Sequence, residues 1–367
     1  MLDLAFWRDR RVFVTGHTGF KGAWLTAMLD RLGALVHGYA LPPDTEPSLF
    51  ELVGITGICE HEIGDIRDVA KLSQAVADFE PSVVLHLAAQ SLVRRSYRDP
   101  IETFQTNVLG TVNLLEASRG CATIEAVVNV TTDKCYENQG RTDGYRESDR
   151  LGGADPYSAS KACSELVTQA YRSSFFTPAD GAQNGIALAS ARAGNVIGGG
   201  DWCEDRIVPD AVRAFSAGEK LVVRNVDAVR PWQHVLDPLY GYLLLAQRCA
   251  EDGPRFAKGW NFGPETSQLY SVGAMVEALA GLWPGPAEWE AQPSADDPAE
   301  AETLVLDSSL ASDELGWQAQ LGFDDAIALT AAWYVAHQES AGTEELRSLM
   351  DRQIDDYLEA AGREEGR

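Results

Sequence analysis

The sequence predicts an α/β protein built on a doubly wound parallel sheet, followed by a smaller and less regular C-terminal lobe. Three observations lead there. In the first half, short β-branched runs alternate with longer amphipathic stretches, the rhythm of βαβ units. Two of those runs, Ser82-Val83-Val84-Leu85-His86-Leu87-Ala88-Ala89 and Ala126-Val127-Val128-Asn129-Val130, are apolar almost throughout, as strands covered on both faces must be. Beyond Asn195 the rhythm stops at Gly198-Gly199-Gly200, and a mixed region follows that carries Trp202, Trp232, Trp260, Trp283 and Trp289.

Taken in order, strands are expected over residues 12–15, 35–39, 83–87, 126–131 and 186–191, and helices over 21–32, 69–79, 100–118 and 156–175. Residues 1–195 then form the nucleotide-binding domain, to which the chain returns around 226–260. Residues 196–340 form the smaller mixed lobe, and 341–367 a charged C-terminal helix or tail whose charges mark a solvated face. Residues 288–302 are acidic and rich in Pro, Ala and Ser, the texture of an exposed loop.

Composition sets outer bounds. The 367 residues, 45% hydrophobic and 23% charged, suffice for one large or two medium domains with a sizeable core. Thirty Lys and Arg against 55 Asp and Glu leave a net charge of −25, which repels polyanions and excludes nucleic acid or an anionic membrane as the main partner. An anionic ligand therefore needs a local basic pocket. The six cysteines, at 59, 121, 135, 163, 203 and 249, form no CxxC pair and read as reduced thiols, and no metal site is expected. The first eleven residues carry charges of both signs, and no stretch reaches the roughly 18–20 apolar residues of a membrane span, so the expected compartment is the cytoplasm.

The first strand runs into Gly16-His17-Thr18-Gly19-Phe20-Lys21-Gly22 and then a helical pattern. Glycines in such a turn let a diphosphate approach the backbone amides, and the helix dipole favours its charge, which makes the domain Rossmann-type. The spacing is G-x-x-G-x-x-G. The second strand ends His37-Gly38-Tyr39-Ala40-Leu41 with no carboxylate for the adenosine ribose, and Asp44 stands beyond two prolines; NAD is chosen over NADP.

Asp155-Pro156 opens a helix as N-cap and first residue, which sets Tyr157 and Lys161 one turn apart on one face. A nearby ammonium stabilises a phenolate and so turns a tyrosine into a usable base. At the carboxyl end of the fourth expected strand lie Thr132, able to bond a substrate hydroxyl, Asp133, suited to general acid work, and Lys134. Cys135 reads as an inert small residue. Arg206, Arg213, Arg224 and Arg230 form the densest arginine group of the second half, matched to diphosphate oxygens.

Together with His86-Leu87-Ala88-Ala89-Gln90, Thr106-Asn107-Val108-Leu109-Gly110-Thr111, Thr132-Asp133-Lys134-Cys135-Tyr136, Arg192-Ala193-Gly194-Asn195 continuing to Gly200-Asp201-Trp202, and Arg230-Pro231-Trp232-Gln233-His234-Val235, these motifs resemble the CDP-glucose 4,6-dehydratase family of the extended short-chain dehydrogenase/reductase superfamily. The resemblance spans residues 11–264. It implies conversion of CDP-glucose to a 4-keto-6-deoxy sugar: Tyr157 deprotonates the 4-hydroxyl as hydride passes to bound NAD, Asp133 protonates the departing 6-hydroxyl, and the hydride returns to C6. Lys134 stands where related hexose dehydratases carry a glutamate as the C5 base, a role that Lys134, Glu137 or a water is left to fill. The resemblance also assigns Gly16, His17, Gly19, Phe20 and Gly22 to the cofactor diphosphate, Asp65 and Ile66 to the adenine, and Ala88, Ala89 and Asn107 to the middle of the dinucleotide, with Tyr157 and Lys161 at its nicotinamide. Gln90, Asn195, Arg206, Arg224 and Arg230 would face the sugar nucleotide. A homodimer or higher homo-oligomer, paired through helices 107–116 and 157–172, is the expected assembly. The competing readings are a nucleotide-sugar 4-epimerase, a 4,6-dehydratase for another sugar nucleotide, and a cofactor-sensing protein without catalysis; the presence of Asp133 favours elimination, and the intact Tyr/Lys pair favours an enzyme.

Overall fold

The structure, a computed structural model, describes residues 1–176, 185–265, 269–292 and 304–364. Six strands, β1 (Arg11–Thr15), β2 (Leu35–Ala40), β3 (Glu60–Ile63), β4 (Val83–His86), β5 (Ala126–Val130) and β6 (Ala187–Ala193), join a last strand, Gly259–Phe262, in one seven-stranded sheet. Every pairing is parallel. The order across the sheet is last strand, β6, β5, β4, β1, β2, β3, so the winding reverses between β4 and β1. A doubly wound sheet opens its ligand crevice at that reversal, beyond the strands' carboxyl ends.

Alternation along β1 shows why the sheet is covered on both faces. Val12 and Val14 pack in one core with the Phe20–Arg31 and Leu236–Asp252 helices, while Phe13 packs in a second with the Val69–Phe79 and Gly110–Arg119 helices. All three are fully buried, and each such side chain contributes about 1.5–3 kcal/mol to burial.

The structure departs from the sequence reading or adds to it in five places. Strand β3, Glu-His-Glu-Ile, was not expected; it is a charged, largely exposed sheet edge, where charge discourages further pairing and apolar alternation is not required. The expected helix 100–118 is interrupted by a π turn at Gln105–Leu109 between the Pro100–Phe104 and Gly110–Arg119 helices, and the next long helix likewise ends in a π turn at Arg172–Phe176. The Leu236–Asp252 helix and the strand after it restore a βαβ rhythm late in the chain, because that strand pairs with β6. The Thr343–Glu364 helix is docked through Leu346, Met350, Ile354 and Tyr357, all buried, so one face of the charged C-terminal segment belongs to the core. Of the acidic stretch 288–302, Trp289–Ala291 pairs with Leu221–Val223, and residues 293–302 lie outside the described residues.

Candidate active site

A cavity of about 1210 Å³ opens at the carboxyl ends of the strands, larger than the roughly 300–1,000 Å³ of a single-ligand pocket and so roomy enough for two ligands side by side. One end is the turn after β1. Gly16 has φ +80°, and a Cβ there would meet the Ala88 amide nitrogen at 2.7 Å; a Cβ on Gly22 would meet the Gly16 carbonyl oxygen at 2.1 Å. The turn and helix therefore close only without side chains at these positions. Gly19 is the N-cap of the Phe20–Arg31 helix and supplies no side-chain cap, which leaves the helix's first amides for a ligand. Open space, uncapped amides and missing Cβ atoms fit a dinucleotide diphosphate.

At the other end, Asp155 caps the Pro156–Tyr171 helix by accepting from the Ser158 amide at 2.9 Å, and the Tyr157 amide donates to Ser96 Oγ at 3.1 Å. Tyr157 and Lys161 line the cavity and are nearly buried. Burial pushes the Tyr157 phenol up to about 12, against which a hydrogen bond with Thr132 pulls down. Burial lowers Lys161 to about 8, opposed by Glu165; its ammonium donates to the Val130 carbonyl at 3.2 Å.

Thr132 caps the short 3₁₀ turn Asp133–Cys135, and its hydroxyl donates to Asp133 Oδ1 at 2.8 Å. Asp133 is 1% exposed, and its Oδ2 has no partner among the described residues, a buried acceptor directed at the cavity it lines. Lys134 Nζ lies 4.0 Å from Asp133 Oδ1, and Glu137, which also lines the cavity, pairs with Arg150 at 3.3 Å.

Of the residues expected at the site, Gly16, Gly19, Phe20, Gly22, Asp65, Ile66, Ala88, Ala89, Gln90, Thr132, Asp133, Lys134, Tyr157, Lys161, Asn195, Arg206 and Arg230 all border this one cavity. Three do not. His17 is fully buried beneath β2, its ring filling the space where a Cβ on Gly38 would stand, 2.3 Å away, so its side chain faces away from any diphosphate. Asn107 is drawn inward by bonds to the Gln90 carbonyl and Ser160 Oγ, both 2.9 Å, and supports the cavity wall from behind. Arg224 lies off the lining, 3.7 Å from Asp205. Within the cavity the side chains are unequally available. The Asp65 carboxylate is held by Arg67, and the Gln90 amide by Thr103 and the Leu92 amide, whereas Asn195 Oδ1 is buried without a partner among the described residues.

Sequence reasoning missed several residues. Lys21 lines the cavity beside the chemistry, where burial and then the nearby Arg206 and Lys161 lower it to about 7 while Asp133 and Asp201 oppose the fall. Its signal was a cation in the first turn of a helix, where the dipole disfavours it. Asp201 anchors Arg206 at 2.7 Å. Asp44 and Arg95, 2.7 Å apart, border the cavity on the β2 side.

A sheet of this topology, with a glycine turn at its switch point and a Tyr-x-x-x-Lys helix facing it, defines a dinucleotide-binding enzyme of the short-chain dehydrogenase/reductase fold. The model of the GDP-mannose 4,6-dehydratase family matches residues 13–330, and the chain belongs to that family. It is 48% identical to the CDP-glucose 4,6-dehydratase of Salmonella typhimurium over 99% of this chain and 100% of that one. It is also 28% identical to a dTDP-glucose 4,6-dehydratase of Xanthomonas campestris pv. campestris, over 89% and 93% of the two chains. Among solved structures it is similar to a UDP-glucose 4-epimerase from Stenotrophomonas maltophila with bound NAD and formylated UDP-arabinopyranose, with a TM-score of 0.77, 23% identity, and coverage of 90% of this chain and 100% of that one. The NAD complex of the Thermus thermophilus UDP-glucose 4-epimerase gives a TM-score of 0.73 at 25% identity, covering 90% and 99%.

Proposed function

We propose that the chain is an NAD-dependent hydro-lyase that converts CDP-glucose to CDP-4-keto-6-deoxyglucose. One observation carries the reading: a buried phenol and a buried carboxylate with one oxygen unpartnered among the described residues line the same cavity as the glycine turn. When bound, NAD supplies the acceptor for the sugar's C4 hydride and the donor that returns it to C6. Gly16, Gly19, Phe20 and Gly22 would hold its diphosphate, Asp65 and Ile66 its adenine, and Ala88 and Ala89 the middle of the dinucleotide. Tyr157 takes the proton of the sugar's 4-hydroxyl, and the Lys161 ammonium favours the phenolate electrostatically. A ketone at C4 acidifies C5–H, so that loss of water across C5 and C6 requires a base on one side and an acid on the other. Asp133, in its protonated form, delivers that proton to the departing 6-hydroxyl, and the C5 proton passes to a base that Lys134 in its neutral form, Glu137 or a water supplies. Arg206, Arg230 and Asn195 bind the diphosphate and sugar; a chain of charge −25 needs such a local cationic patch.

The decisive experiment incubates the holoenzyme with a panel of sugar nucleotides and follows mass. CDP-glucose should lose one water fastest. An unchanged mass with inverted C4 would assign a 4-epimerase, and faster loss of water from another sugar nucleotide would reassign the substrate and keep the mechanism.

The assembly is a homodimer through the Pro100–Arg119 and Pro156–Phe176 segments. The support is a groove of about 460 Å³ lined by Pro100, Ile101, Phe104, Gln105, Val108, Leu109 and Cys163, flanked by exposed Leu166 and Phe175. Leu166→Glu should shift light scattering from dimer to monomer. The compartment is the cytoplasm: all six cysteines are free thiols, and no described helix is long and apolar enough to cross a membrane.

A further inference from the structure

Behind the cavity wall lies a buried ion pair that the reaction as described does not use. Glu165, one turn beyond Lys161 on the same helix, is 3% exposed, and Arg192 on β6 is 5% exposed. Both carboxylate oxygens are bonded twice. Oε1 accepts from Thr131 Oγ1 at 2.5 Å and Arg192 Nε at 3.0 Å; Oε2 accepts from Ser190 Oγ at 2.6 Å and Arg192 Nη2 at 2.8 Å. The remaining guanidinium nitrogen, Nη1, donates to Tyr136 Oη at 2.7 Å and to the Glu147 carbonyl at 3.3 Å, and Tyr136 donates onward to Asn261 at 2.7 Å.

The segment that carries Thr132, Asp133 and Lys134 is therefore tied down at both ends by one pair. Its leading residue, Thr131, is held by Glu165, and its trailing residue, Tyr136, by Arg192. The same Glu165 belongs to the helix of Tyr157 and Lys161. Bidentate guanidinium–carboxylate geometry is the most directional ion pair available to a protein, and an error of one ångström in the placement of reacting groups costs on the order of a hundredfold in rate. A buried pair is weak evidence for stability alone, since apolar residues of similar volume often serve as well. Positioning gives the charge a use.

We propose that Glu165 and Arg192 are positioning residues that register the elimination groups, Asp133 and Lys134, against the oxidation groups, Tyr157 and Lys161. The inference rests on the dehydratase reading above. It predicts an uncoupling. Slackening either tie displaces Asp133 and Lys134 while Tyr157 and Lys161 stay on their own helix, so the elimination step slows more than the oxidation step.

The test uses holoenzyme mixed rapidly with CDP-glucose. Absorbance of the reduced nicotinamide reports the first step, and quenched-flow mass spectrometry reports loss of water. Tyr136→Phe and Thr131→Val each remove one tie without stranding a charge, and should slow elimination about tenfold while oxidation changes less than about threefold. Reduced nicotinamide should then accumulate, with KM for CDP-glucose little moved. Arg192→Lys, which keeps the charge and loses the fork, should slow elimination by about a hundredfold. Parallel loss of both steps, or no change in either with Tyr136→Phe and Thr131→Val, overturns the proposal, and those two variants decide the matter if Arg192→Lys does not fold. Should the parent enzyme leave CDP-glucose intact and dehydrate another sugar nucleotide, the substrate assignment fails, and the same split measured on that nucleotide still judges the ion pair.

Discussion

The segments that follow β1 and β5 both leave a parallel strand at its carboxyl end and both face the same cavity, yet they are built by opposite means. The turn at residues 16–22 depends on what is missing: Gly16 and Gly22 pass so close to backbone that a single methyl group collides. The segment at residues 131–136 depends on what is present: Thr131, Thr132, Asp133 and Tyr136 are held by side-chain hydrogen bonds that reach across two strands and a helix. A binding surface for a diphosphate can be made from backbone amides, because the ligand brings the charge. A set of groups that must hand protons to particular oxygens cannot, because each needs a defined place and a defined neighbour.

If that contrast is right, substitutions in the two segments fail differently. The largest effect is expected for Asp133→Asn, which should slow elimination by about 10²–10⁴-fold and leave NAD affinity unchanged; stopped-flow absorbance should show reduced nicotinamide appearing at near the parental rate. Equal loss of both steps would remove Asp133 from the acid role. Gly22→Ala should do the reverse. Its Cβ meets backbone that cannot yield, so a cost of about 1–3 kcal/mol should appear as a lower Tm together with NAD affinity weakened by about a hundredfold in calorimetric titration. Retention of full affinity would take the turn out of the cofactor site.

A third effect is smaller and reads the pH dependence. Burial lowers Lys161 to about 8, so the ammonium is intact below that pH and is lost as pH rises through it. The oxidation step should therefore fall above pH 8 by up to about tenfold per unit, while NAD affinity stays flat over the same range; a rate still rising beyond pH 9 (about one unit past that value) would exclude a requirement for the cation. Gly19→Ala sharpens the contrast with the least disturbance. A Cβ there touches only the Gly16 carbonyl at 3.5 Å, an ordinary contact, so Tm should hold within about 1 kcal/mol of stability while the methyl group intrudes on the diphosphate and weakens NAD several-fold. A fall in Tm as large as that of Gly22→Ala would show that Gly19, too, serves the fold and not the ligand.

The glycine turn, the Tyr157/Lys161 helix and the buried strands β1, β4 and β5 were legible because each leaves a local mark: spacing, a capped helix start, or a continuous apolar run. Asp133 was legible through its position at a strand end. Strand β3 was not, since an exposed edge needs no apolar pattern, and neither was the π turn at Gln105–Leu109, whose Asn107 is held by Gln90 and Ser160 from other parts of the chain. His17 shows the opposite failure: a residue inside a ligand-binding motif whose ring packs under Gly38, because the turn leaves it only one side to occupy.

By itself, then, the order of residues determined the parallel sheet as a class and the two short motifs at its strand ends, since these follow from periodicity and backbone sterics within a few residues; the strand order, and so the place where the winding reverses, came from the fold. Folding in three dimensions decided which polar groups became partners. Glu165 and Arg192 lie 27 residues apart, and Tyr136 and Asn261 lie 125 apart; Lys21 shares its cavity with Arg206 and Asp133. Charges attract through space and not along the chain, and no local pattern records which of 55 acids will be left facing which of 30 bases once water has been excluded.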